Sequence, residues 1–463
     1  MVQELIERAH AAQQQFESYS QEQIDKAVTA IAWAGYNEAN ANTLAQLAYD
    51  HSGLGNAADK FTKIRRKTMG TLRDLKGAPS VGVIEVDEER GVTKIAKPMG
   101  TIAAILPSTN PAATVINNIM ITLKGGNAVI LAPHPKGEAA CATAVEFVHQ
   151  ELEKLGVPLD LVQYISLKAA SKEAGKARAQ ELMRQADYSL VTAGPANVDL
   201  AYRSGTPSHG VGVGNAPVII DESADLADAI PKIVASKTFD YATSCSSENS
   251  LVIQSSRYDE TVQALQAQGA YLTTADEKAK LQSTMWPNGH LNRQVVAQPA
   301  STIVELTGIN SAEAKDAKLL MVEEEGVGPE YPFSGEKLSV VLTLYKYNEF
   351  DEAVEQVNNI LDYMGLGHSC GIHSANDEHV EQLAESAKVS TVLVNQPHCY
   401  NNGGSFDNGL DFTLSMGAGT WGKNDTCENL TYKHFLNYTY LARPIPTRMP
   451  TEEELFGDLL KDL

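Results

Sequence analysis

The sequence predicts an α/β protein with doubly wound parallel sheets, arranged as two α/β domains with a projecting hairpin. One observation is that short apolar runs alternate with helical segments from residue 100 onward. A second is that a similar alternating block follows Cys245. Strands that alternate with helices need crossover connections, so they form parallel sheets with helices on both faces. The 463 residues are enough for two or three domains.

The first eighty residues are predicted to be helical scaffold. Leu5, Ile6 and Ala9 recur at helical spacing, and Ser20 followed by Gln23 is a capping box. Residues 82–97 alternate apolar and polar side chains on both sides of a polar turn, which predicts a β-hairpin. We expect this hairpin to project from the body or to pair with another subunit.

The two alternating blocks supply the remaining elements. The first predicts strands at residues 101–106, 128–132, 162–165 and 188–192, with helices at 112–124 and 138–155. The second predicts strands at 251–254, 338–345 and 391–394, with helices at 258–268 and 349–361. We expect ligands to bind beyond the carboxyl ends of the strands, as in other doubly wound sheets. The tail from residue 446 is expected to be an arm or a frayed end.

The composition argues against two classes of partner. The net charge is −21, with 58 acidic and 37 basic residues, so nucleic acid and anionic membranes would both repel the chain. No run of about 18 apolar residues occurs, and residues 1–5 lack the basic and apolar parts of a signal peptide. We therefore expect a cytoplasmic protein with no nucleic-acid or membrane partner.

The cysteines are expected to be reduced thiols. Their odd number and wide spacing in a long chain argue against a disulfide framework and against a thiolate metal site, so no metal is expected. The five are Cys141, Cys245, Cys370, Cys399 and Cys427.

Cys245 is the candidate nucleophile. It lies among small and hydroxylated residues just before the apolar run 251–254, so a substrate can approach it closely. The thiolate is the reactive form and a free cysteine titrates near about 8.5, so the fold must lower that pKa or supply a base. The alternative is a small buried hydrophobe, the commoner role of cysteine. The nucleophile hypothesis predicts that iodoacetamide labels Cys245 first among the five thiols.

Three loops at predicted strand ends carry further polar groups. Asn110 precedes Pro111, so its amide either caps the next helix or points into the crevice, where it would stabilise a developing oxyanion. His134 and Lys136 lie in a stretch stiffened by two prolines and are candidates to bind a ribose or a phosphate. A solvated turn is the alternative there. Residues 192–197 lead into a helix whose N-terminus would attract a pyrophosphate.

Alternating glycines occupy positions 210, 212 and 214. No Gly-x-Gly-x-x-Gly motif follows the first strand, and this glycine run lacks the strand-to-helix context of a dinucleotide-binding loop. We interpret the run as a close backbone approach to the loop that carries Cys245.

Taken together, several motifs resemble the aldehyde dehydrogenase superfamily, and specifically its coenzyme A-acylating branch. The resemblance extends from about residue 94 to residue 440. Each motif is weak alone, whereas their order and spacing are highly specific. They are residues 95–100 (IAKPMG), 107–111 (PSTNP), 132–135 (APHP), 236–240 (SKTFD), 245–249 (CSSEN), 415–422 (SMGAGTWG), 428–429 (EN) and 433–437 (KHFLN).

The resemblance implies roles for individual residues. Cys245 would be the nucleophile, and Asn110 with a backbone amide near Cys245 would stabilise the oxyanion. Glu336 would hold the nicotinamide ribose, although residue chemistry alone predicts a surface carboxylate, and His368 matches a family histidine near the active site. The residues implied to line the dinucleotide are Leu106, Pro107, Ser108, Thr109, Pro133, His134, Pro135, Lys136, Gly194 and Pro195.

The general-base glutamate of hydrolytic aldehyde dehydrogenases has no counterpart in residues 209–217, where Val211 occupies or adjoins the expected position. Without a base to activate water, a thioester on Cys245 should persist until a better nucleophile arrives. The thiol of coenzyme A fits that need. The resemblance therefore implies reversible oxidation of a short aldehyde, with NAD or NADP and coenzyme A, to an acyl-CoA.

Within the branch, the sequence is most similar to acylating sulfoacetaldehyde dehydrogenases, through residues 395–398, 404–410 and 452–457. Acylating succinate-semialdehyde and acetaldehyde dehydrogenases are nearly as similar. An anionic aldehyde needs a cation or several hydrogen-bond donors in its pocket. The candidate substrate contacts are His368, His398, Asn401, Asn402 and Ser405, and a polar surface loop is the alternative for those between 398 and 405.

Two departures from the family pattern bear on substrate choice. Tyr241 and Ala242 replace the Asn-Gly that commonly follows Phe-Asp, and Ala418 replaces a cysteine that relatives often carry. Both departures are expected to lie where the substituent of the aldehyde is sensed.

Other questions stay open on the sequence. A hydrolytic aldehyde dehydrogenase and a catalytically silent dinucleotide-binding subunit are alternative functions. Lys136 would attract the 2′-phosphate of NADP, whereas Glu138 would repel it. We expect residues 1–83 and 98–222 to form the dinucleotide-binding domain and 223–424 the catalytic domain. Residues 84–97 and 425–463 are expected to form an oligomerisation hairpin and C-terminal arm, in a homodimer or homotetramer.

Overall fold

The N-terminal part of the chain is helical, as predicted. In the computed structural model, which describes residues 1–462, four helices precede the first strand. They are α1 (Val2–Phe16), α2 (Gln21–Tyr36), α3 (Glu38–Ser52) and α4 (Ala57–Leu75). The predicted capping box opens α2: the Gln23 N–H donates to Ser20 Oγ at 3.3 Å, and the Ser20 N–H donates to Gln23 Oε1 at 2.9 Å. These bonds satisfy backbone donors that the first turn leaves without an intrahelical partner.

The predicted hairpin follows the helices. β1 (Gly82–Asp87) pairs antiparallel with β2 (Val92–Pro98). Ala96 is the one fully buried residue in the two strands, so the hairpin lies at the surface of the subunit. Its polar and apolar alternation therefore produces a strand pair with little core of its own.

A five-stranded parallel sheet comes next. Its strands are β3 (Thr101–Leu106), β4 (Ala128–Pro133), β5 (Val162–Tyr164), β6 (Tyr188–Val191) and β7 (Ser208–Gly210), in the order β5-β4-β3-β6-β7. The connecting helices are α5 (Ala113–Lys124), α6 (Glu138–Glu153), α7 (Lys172–Gln185) and α8 (Pro195–Tyr202). The strand order reverses between β3 and β6, so a ligand site is expected beyond the carboxyl ends of these two strands.

A seven-stranded parallel sheet forms the second half. Its strands are β8 (Ala216–Ile220), β9 (Glu248–Gln254), β10 (Ala270–Leu272), β11 (Leu319–Glu323), β12 (Val341–Tyr347), β13 (Gly367–His373) and β14 (Val389–Val394). The order is β10-β11-β12-β9-β8-β13-β14. The helices of this half are α9 (Leu226–Thr238), α10 (Tyr258–Ala267), α11 (Ala275–Met285), α12 (Ala300–Thr307), α13 (Ala312–Asp316), α14 (Phe350–Tyr363), α15 (Asp377–Ser386) and α16 (His398–Asn401).

Apolar side chains cover both faces of the larger sheet. Val218, Ile220 and Leu251 belong to one hydrophobic cluster, whereas Ile219 and Val252 belong to another. Successive side chains of a strand point to opposite faces, so the two clusters lie on opposite sides of the sheet. This is the doubly wound arrangement that the alternating pattern predicts.

The chain returns to the hairpin near its end. β15 (Leu436–Ala442) pairs antiparallel with β2 to complete a three-stranded sheet in the order β1-β2-β15. Beyond it, residues 439–459 are exposed and include the short helix α17 (Glu452–Phe456). No helix in the described part of the chain is long and apolar enough to cross a bilayer. Within residues 1–462, no group of three or more His, Cys, Asp or Glu side chains is placed to hold a metal ion.

Candidate active site

A crevice of about 310 Å³ opens beyond the carboxyl ends of β3 and β6. We call it the main crevice. Its position is the one at which doubly wound sheets bind ligands, and its size suits a small-molecule site. Residues predicted from the sequence that line it are Leu106, Pro107, Ser108, Thr109, Asn110, His134, Gly194, Pro195, Cys245 and Glu336.

The lining of the main crevice fits a dinucleotide. Residues 106–109 follow β3, and Gly194 is the N-cap of α8. A helix N-terminus presents backbone N–H groups that suit a pyrophosphate. Glycine at the N-cap has no β-carbon, and a β-carbon added there would meet open space, so a ligand can approach the backbone closely.

Three predicted cofactor residues lie outside this lining. Pro133 is buried at the end of β4, whereas Pro135 and Lys136 are exposed. The Lys136 ammonium donates to the carbonyl of Ser52 at 3.3 Å. Of the predicted segment 133–136, His134 is the residue that the structure brings to the crevice wall.

Glu336 lies in the crevice wall, half-buried. Desolvation raises the pKa of its carboxyl group to about 8, against the attraction of the buried ammonium groups of Lys337 and Lys237. The surface carboxylate that residue chemistry alone predicts is therefore wrong. The placement in the crevice agrees with the family resemblance.

The backbone turns sharply between α9 and Cys245. Asp240, Tyr241 and Ala242 adopt positive φ angles of 50°, 49° and 60°. A residue with a β-carbon rarely occupies this left-handed region, at a cost of about 1 kcal/mol or more for each position. The surrounding contacts must therefore hold the loop in place.

A buried ion cluster supplies those contacts. The Asp240 carboxylate lies 2.7 Å from the Lys63 ammonium and 3.1 Å from that of Lys60, both on α4. Although desolvation alone would raise the pKa of Asp240, the attraction of the two lysines brings it below its ordinary value. Asp240 Oδ1 also accepts from the backbone N–H of Asn56 at 2.9 Å. Helix α4 thereby anchors the loop that presents Cys245.

Cys245 contacts a histidine. Its Sγ lies 3.2 Å from Nε2 of His368, on β13, and Nδ1 of the same ring lies 2.7 Å from Ser369 Oγ. With Nδ1–H donating to Ser369, Nε2 accepts from the thiol. A nucleophile bonded to a base that a third group orients is the arrangement by which cysteine enzymes activate sulfur. The structure thereby assigns His368 a contact that the sequence leaves open.

The thiol and the imidazole are both neutral in this structure. Desolvation raises the pKa of Cys245 to about 12, the field of Glu336 adds to the shift, and a hydrogen bond with Ser246 offsets part of it. Desolvation lowers the pKa of His368 to about 3, with a contribution from His398. Because the two pKa values lie far apart, the imidazole can accept the thiol proton only as the forming bond to a substrate makes the sulfur more acidic.

Asn110 lines the same crevice as Cys245. The Lys63 ammonium donates to Asn110 Oδ1 at 2.7 Å, which leaves the Nδ2 protons as donors. The alternative that the Asn110 side chain caps the next helix is wrong, because α5 begins at Ala113 with Ala112 as its N-cap. An amide donor next to the nucleophile suits stabilisation of an oxyanion.

His398 and Asn402, two of the predicted substrate contacts, support the loop of residues 239–247, which carries Cys245 and which we call the nucleophile loop. His398 Nδ1 bonds to the carbonyl oxygen of Ser246 at 2.8 Å, and Asn402 Nδ2 donates to Ser246 Oγ at 3.0 Å. Ser246 follows Cys245 directly, so both contacts fix the position of the thiol. Neither side chain belongs to the described lining of the main crevice.

Asn401 and Ser405 lie farther from the nucleophile. Asn401 Nδ2 donates to Gln396 Oε1 at 2.8 Å, and Ser405 Oγ accepts from the Arg66 guanidinium at 2.6 Å. Asn401 and Ser405 are each 1% exposed, as are His398 and Asn402, so the alternative of a polar surface loop is wrong.

A second cavity, which no sequence motif predicts, adjoins the main crevice. Its volume is about 40 Å³, and Asn110, Ser244, Leu414 and Met416 line both spaces. We call it the α4 cavity, because α4 contributes its cationic side chains. Its lining residues are Lys63, Arg66, Lys67, Asn110, Phe239, Ser244, Ser246, Cys399, Tyr400, Gly403, Thr413, Leu414 and Met416.

The prediction that the first eighty residues are scaffold is therefore incomplete. Lys60, Lys63 and Lys67 are three or four residues apart and share one face of α4. All three are buried, at 3%, 7% and 8% exposure. A lysine stripe on a helix is ordinarily a solvated face, so the spacing by itself gives no reason to place it inside.

Of the alternating glycines, Gly214 approaches the loop that carries Cys245 closely, as predicted, whereas Gly210 packs against α8 and Gly212 against Ala418. A β-carbon at Gly214 would lie 2.1 Å from the carbonyl oxygen of Cys245 and 2.5 Å from its Cβ. A β-carbon at Gly212 would lie 2.4 Å from the Cβ of Ala418. These positions bring two stretches of backbone together at a separation that no larger residue permits.

Known proteins resemble this chain in sequence and in fold. The model of the aldehyde dehydrogenase family matches residues 1–293. The chain belongs to the aldehyde dehydrogenase family. Sulfoacetaldehyde dehydrogenase (acylating) of Cupriavidus necator is 50% identical over 98% of this chain and 91% of its own, and sulfoacetaldehyde dehydrogenase of an Acholeplasma species is 43% identical over 100% and 95%. The crystal structure of an acetylating aldehyde dehydrogenase from Geobacillus thermoglucosidasius has a TM-score of 0.91 and 37% identity, covering 97% of this chain and 98% of that one.

Membership confirms the family resemblance and the predicted fold class. The two departures from the aldehyde dehydrogenase pattern lie outside the walls of the two cavities. Tyr241, Ala242 and Ala418 are absent from the described linings of both the main crevice and the α4 cavity. Tyr241 packs against the core of the larger sheet, and Ala418 is buried beside Gly212. Ala418 therefore lies directly behind the wall of the main crevice, because Gly212 lines that crevice.

Cys245 should be alkylated slowly near neutral pH, because burial raises its pKa and makes the thiolate scarce. Its reaction rate with iodoacetamide should keep rising above about pH 9, whereas in the denatured chain it should level off near the ordinary thiol pKa of about 8.5. Peptide mass spectrometry separates Cys245 from Cys427, which is exposed and should react first. The structure thus replaces the prediction that Cys245 is labelled first. A native plateau at or below pH of about 8.5 would contradict the neutral pair.

Gly214→Ala should displace Cys245, because the added β-carbon would lie 2.1 Å from a backbone oxygen that cannot easily move. A displacement of this kind should lower kcat by about a hundredfold or more. Gly409→Ala is the matched control, since a β-carbon there meets nothing within 4 Å. Circular dichroism checks that Gly214→Ala is folded. If the folded variant kept the wild-type kcat, the close approach of Gly214 to Cys245 would not be needed for catalysis.

Proposed function

We propose that this protein is a coenzyme A-acylating aldehyde dehydrogenase that reversibly oxidises sulfoacetaldehyde with NAD or NADP. The observation that carries the proposal is the contact of 3.2 Å between Cys245 Sγ and His368 Nε2, in a crevice that also presents Asn110. The two sulfoacetaldehyde dehydrogenases described above support the proposal, because their likeness extends over nearly the whole chain.

Cys245 begins the reaction as a thiol. His368 Nε2 takes the thiol proton while Sγ forms a bond to the aldehyde carbon. Negative charge then develops on the carbonyl oxygen, and the Asn110 Nδ2 protons stabilise it. The result is a thiohemiacetal on Cys245.

The main crevice holds the oxidant beside this adduct. Residues 106–109 and the start of α8 would bind the dinucleotide, and Glu336 would bind the nicotinamide ribose. A nicotinamide bound there would supply the hydride acceptor for the former aldehyde carbon. Cys245 then carries the acyl group as a thioester. Lys136 and Glu138 have opposite preferences for a 2′-phosphate, so the proposal retains both NAD and NADP.

Coenzyme A collects the acyl group. Its thiol attacks the thioester carbon, the Cys245 thiolate leaves, and an acyl-CoA is formed. Val211, Gly212 and Val213 line the crevice where hydrolytic relatives are expected to carry their general base. None of these three residues has a group that can activate water. This supports a thioester that lasts long enough for its acyl group to be transferred to coenzyme A.

One observation favours the hydrolytic alternative. Glu336 is the carboxylate in the described lining of the main crevice, and its pKa is raised to about 8. A carboxylate that titrates near neutral pH is suited to proton transfer and would activate water if it were free of the ribose. Dependence of the reaction on coenzyme A distinguishes the two functions.

The proposed substrate follows from the relatives and from the small spaces around Cys245. Both curated relatives named above carry sulfoacetaldehyde in their names. The α4 cavity next to the nucleophile, at about 40 Å³, has room for a short substituent only. Succinate semialdehyde and acetaldehyde remain the alternative substrates.

We also propose a homodimer or homotetramer in the cytoplasm. The hairpin sheet lies at the surface, and the tail beyond it exposes apolar side chains that a second copy would cover. All five cysteines are free, which suits a reducing compartment. The exposed large apolar residues of β15 and the tail are Tyr440, Leu441, Ile445, Met449, Leu455, Phe456 and Leu459.

Steady-state assays with and without coenzyme A test the proposed function. The wild-type enzyme should form NADH or NADPH continuously from sulfoacetaldehyde only when coenzyme A is present. Cys245→Ala should lower kcat/KM by about a thousandfold or more, because the group that forms the covalent bond is missing. Cys427→Ala removes an exposed thiol and serves as the matched control. Sustained turnover without coenzyme A would overturn the acylating function in favour of hydrolysis.

A further inference from the structure

We propose that the α4 cavity is the binding site for the sulfonate of the substrate, with Arg66 and Lys67 as its cations. This proposal deepens the proposed function and rests on it. An anionic aldehyde needs a cation or several hydrogen-bond donors close to the nucleophile, and the donors predicted between residues 398 and 405 belong to the described lining of neither the main crevice nor the α4 cavity. The structure places three cationic side chains of α4 in the wall of a cavity that is also lined by Ser244 and Ser246, the two chain neighbours of Cys245.

Lys63 is already occupied. Its ammonium donates to Asp240 at 2.7 Å, to Asn110 at 2.7 Å and to Thr243 at 2.9 Å. An ammonium has three protons, so these acceptors use all of them. Lys63 therefore acts as a positioning residue that orients Asn110 and the nucleophile loop.

Lys67 keeps unused hydrogen-bonding capacity. In the described structure its ammonium donates to one acceptor, the carbonyl of Gly403, at 2.6 Å. The side chain is 8% exposed, and desolvation, followed by the field of Arg66, lowers its pKa to about 7. No carboxylate of the described residues forms an ion pair with it. Beyond the Gly403 carbonyl, its ammonium lies 5.3 Å from the centroid of the Phe412 ring. A buried ammonium without an anion is unfavourable, and a bound sulfonate would supply the missing charge and acceptors.

Arg66 supports the same conclusion. One of its terminal nitrogens donates to Ser405 Oγ at 2.6 Å, whereas its Nε is buried and has no hydrogen-bond partner. The guanidinium also lies over the rings of Tyr400 and Phe406, at 5.8 and 5.4 Å from their centroids. Stacking of this kind holds the planar group in one orientation. An orphaned buried donor beside an ammonium without a counter-anion is what a site for an anion presents.

The cavity lies where the substrate geometry requires it. Ser244 and Ser246, the two neighbours of Cys245 in the chain, both line it, and Asn110 lines it together with the main crevice. The sulfonate sulfur of sulfoacetaldehyde is two bonds from the carbonyl carbon. When the aldehyde carbon is bonded to Cys245 and its oxygen points toward Asn110, the sulfonate must lie close to that carbon. The α4 cavity is an adjoining space that can hold it.

Size restricts the occupant. About 40 Å³ holds a few water molecules, and hence a group the size of a sulfonate. The aromatic rings of Phe239 and Tyr400, 4.6 Å apart between centroids, line one side and limit access for water. Low local polarity strengthens the attraction between the cations and an anion. The cavity should thus favour sulfoacetaldehyde over the longer succinate semialdehyde and over uncharged acetaldehyde.

Lys67→Met and Lys67→Arg test this site in the full-length enzyme. The measured quantity is kcat/KM for sulfoacetaldehyde divided by kcat/KM for acetaldehyde, with coenzyme A present. Lys67→Met should lower this ratio by about 10- to 100-fold, mainly through KM for sulfoacetaldehyde, because a charge-assisted hydrogen bond is lost. Lys67→Arg keeps the charge and should recover much of the ratio. Lys76→Met is the control, since Lys76 is exposed at the end of the same helix.

Direct binding supplies a second measurement. Ethanesulfonate, which cannot react, should inhibit the wild-type enzyme in competition with sulfoacetaldehyde, and about tenfold more should be needed for Lys67→Met. If Lys67→Met does not fold, Arg66→Gln replaces it in both experiments with the same expected direction. An unchanged ratio, an equal loss with both aldehydes, or a control that behaves like Lys67→Met would overturn the sulfonate site.

The outcomes separate this proposal from the proposed function. A wild-type enzyme that requires coenzyme A but prefers acetaldehyde to sulfoacetaldehyde would overturn the sulfonate site while leaving the acylating chemistry intact. An enzyme that oxidises sulfoacetaldehyde without coenzyme A, and whose Lys67→Met variant loses the ratio, would overturn the acylating chemistry and support the site. If the wild-type enzyme preferred succinate semialdehyde and Lys67→Met abolished that preference, the cavity would bind a carboxylate. That result would overturn its assignment to a sulfonate.

Discussion

The buried ion cluster between Asp240 and the two α4 lysines is the interaction on which the active site depends. Asp240 begins a run of three residues in the left-handed region, and the cluster holds that run against helix α4. Lys63 belongs both to this cluster and to the hydrogen bond that orients Asn110. The nucleophile loop and the oxyanion donor are thus set by one ammonium group. Replacing Asp240 would leave the two lysine ammonium groups buried without an anion, and replacing both lysines would leave the Asp240 carboxylate buried without a cation. Either change should lower the free energy of unfolding by about 3–5 kcal/mol.

The same helix links the chemistry to substrate choice. Lys63 faces Asp240 and Asn110, and Arg66 and Lys67, one turn farther along α4, face the α4 cavity. The family chemistry requires a thiol, a base and an oxyanion donor, which the strand ends and the nucleophile loop provide. In the proposed sulfonate site, α4 in the N-terminal part of the chain binds the charged substituent of the aldehyde. Chemistry and specificity therefore come from different elements that meet at Asn110 and Ser244.

Much of the fold follows from the sequence because its elements obey simple periodicities. β3 and β4 are continuous apolar runs, and every residue in them is buried, as expected of parallel strands covered on both faces. β13 escapes prediction for a physical reason. Its seven residues are all buried, yet they are Gly, His, Ser, Cys, Gly, Ile and His, because one end of the strand faces the active site. A strand that carries function loses the apolar signal by which strands are recognised.

The placement of a residue in the crevice was predictable where it depends on local sequence, and unpredictable where it depends on contacts across the fold. Cys245 and the loop after β3 stand out because small and polar residues follow or precede buried strands. His368 lies 123 positions from Cys245 in the chain, and only the parallel pairing of the larger sheet brings the two together. Lys67 resembles a solvated helix residue in sequence and is buried because loops from the far end of the chain cover it.

The proposed chemistry requires Cys245 to hold an acyl group that water does not remove. This requirement can be tested by rapid mixing of the enzyme with sulfoacetaldehyde and the oxidised dinucleotide, without coenzyme A, followed by acid quench and peptide mass spectrometry. We expect an acyl adduct on the peptide that contains Cys245, and we expect it to disappear when coenzyme A is added before the quench. Absence of the adduct while reduced dinucleotide accumulates, or an adduct on another cysteine, would contradict the proposed chemistry.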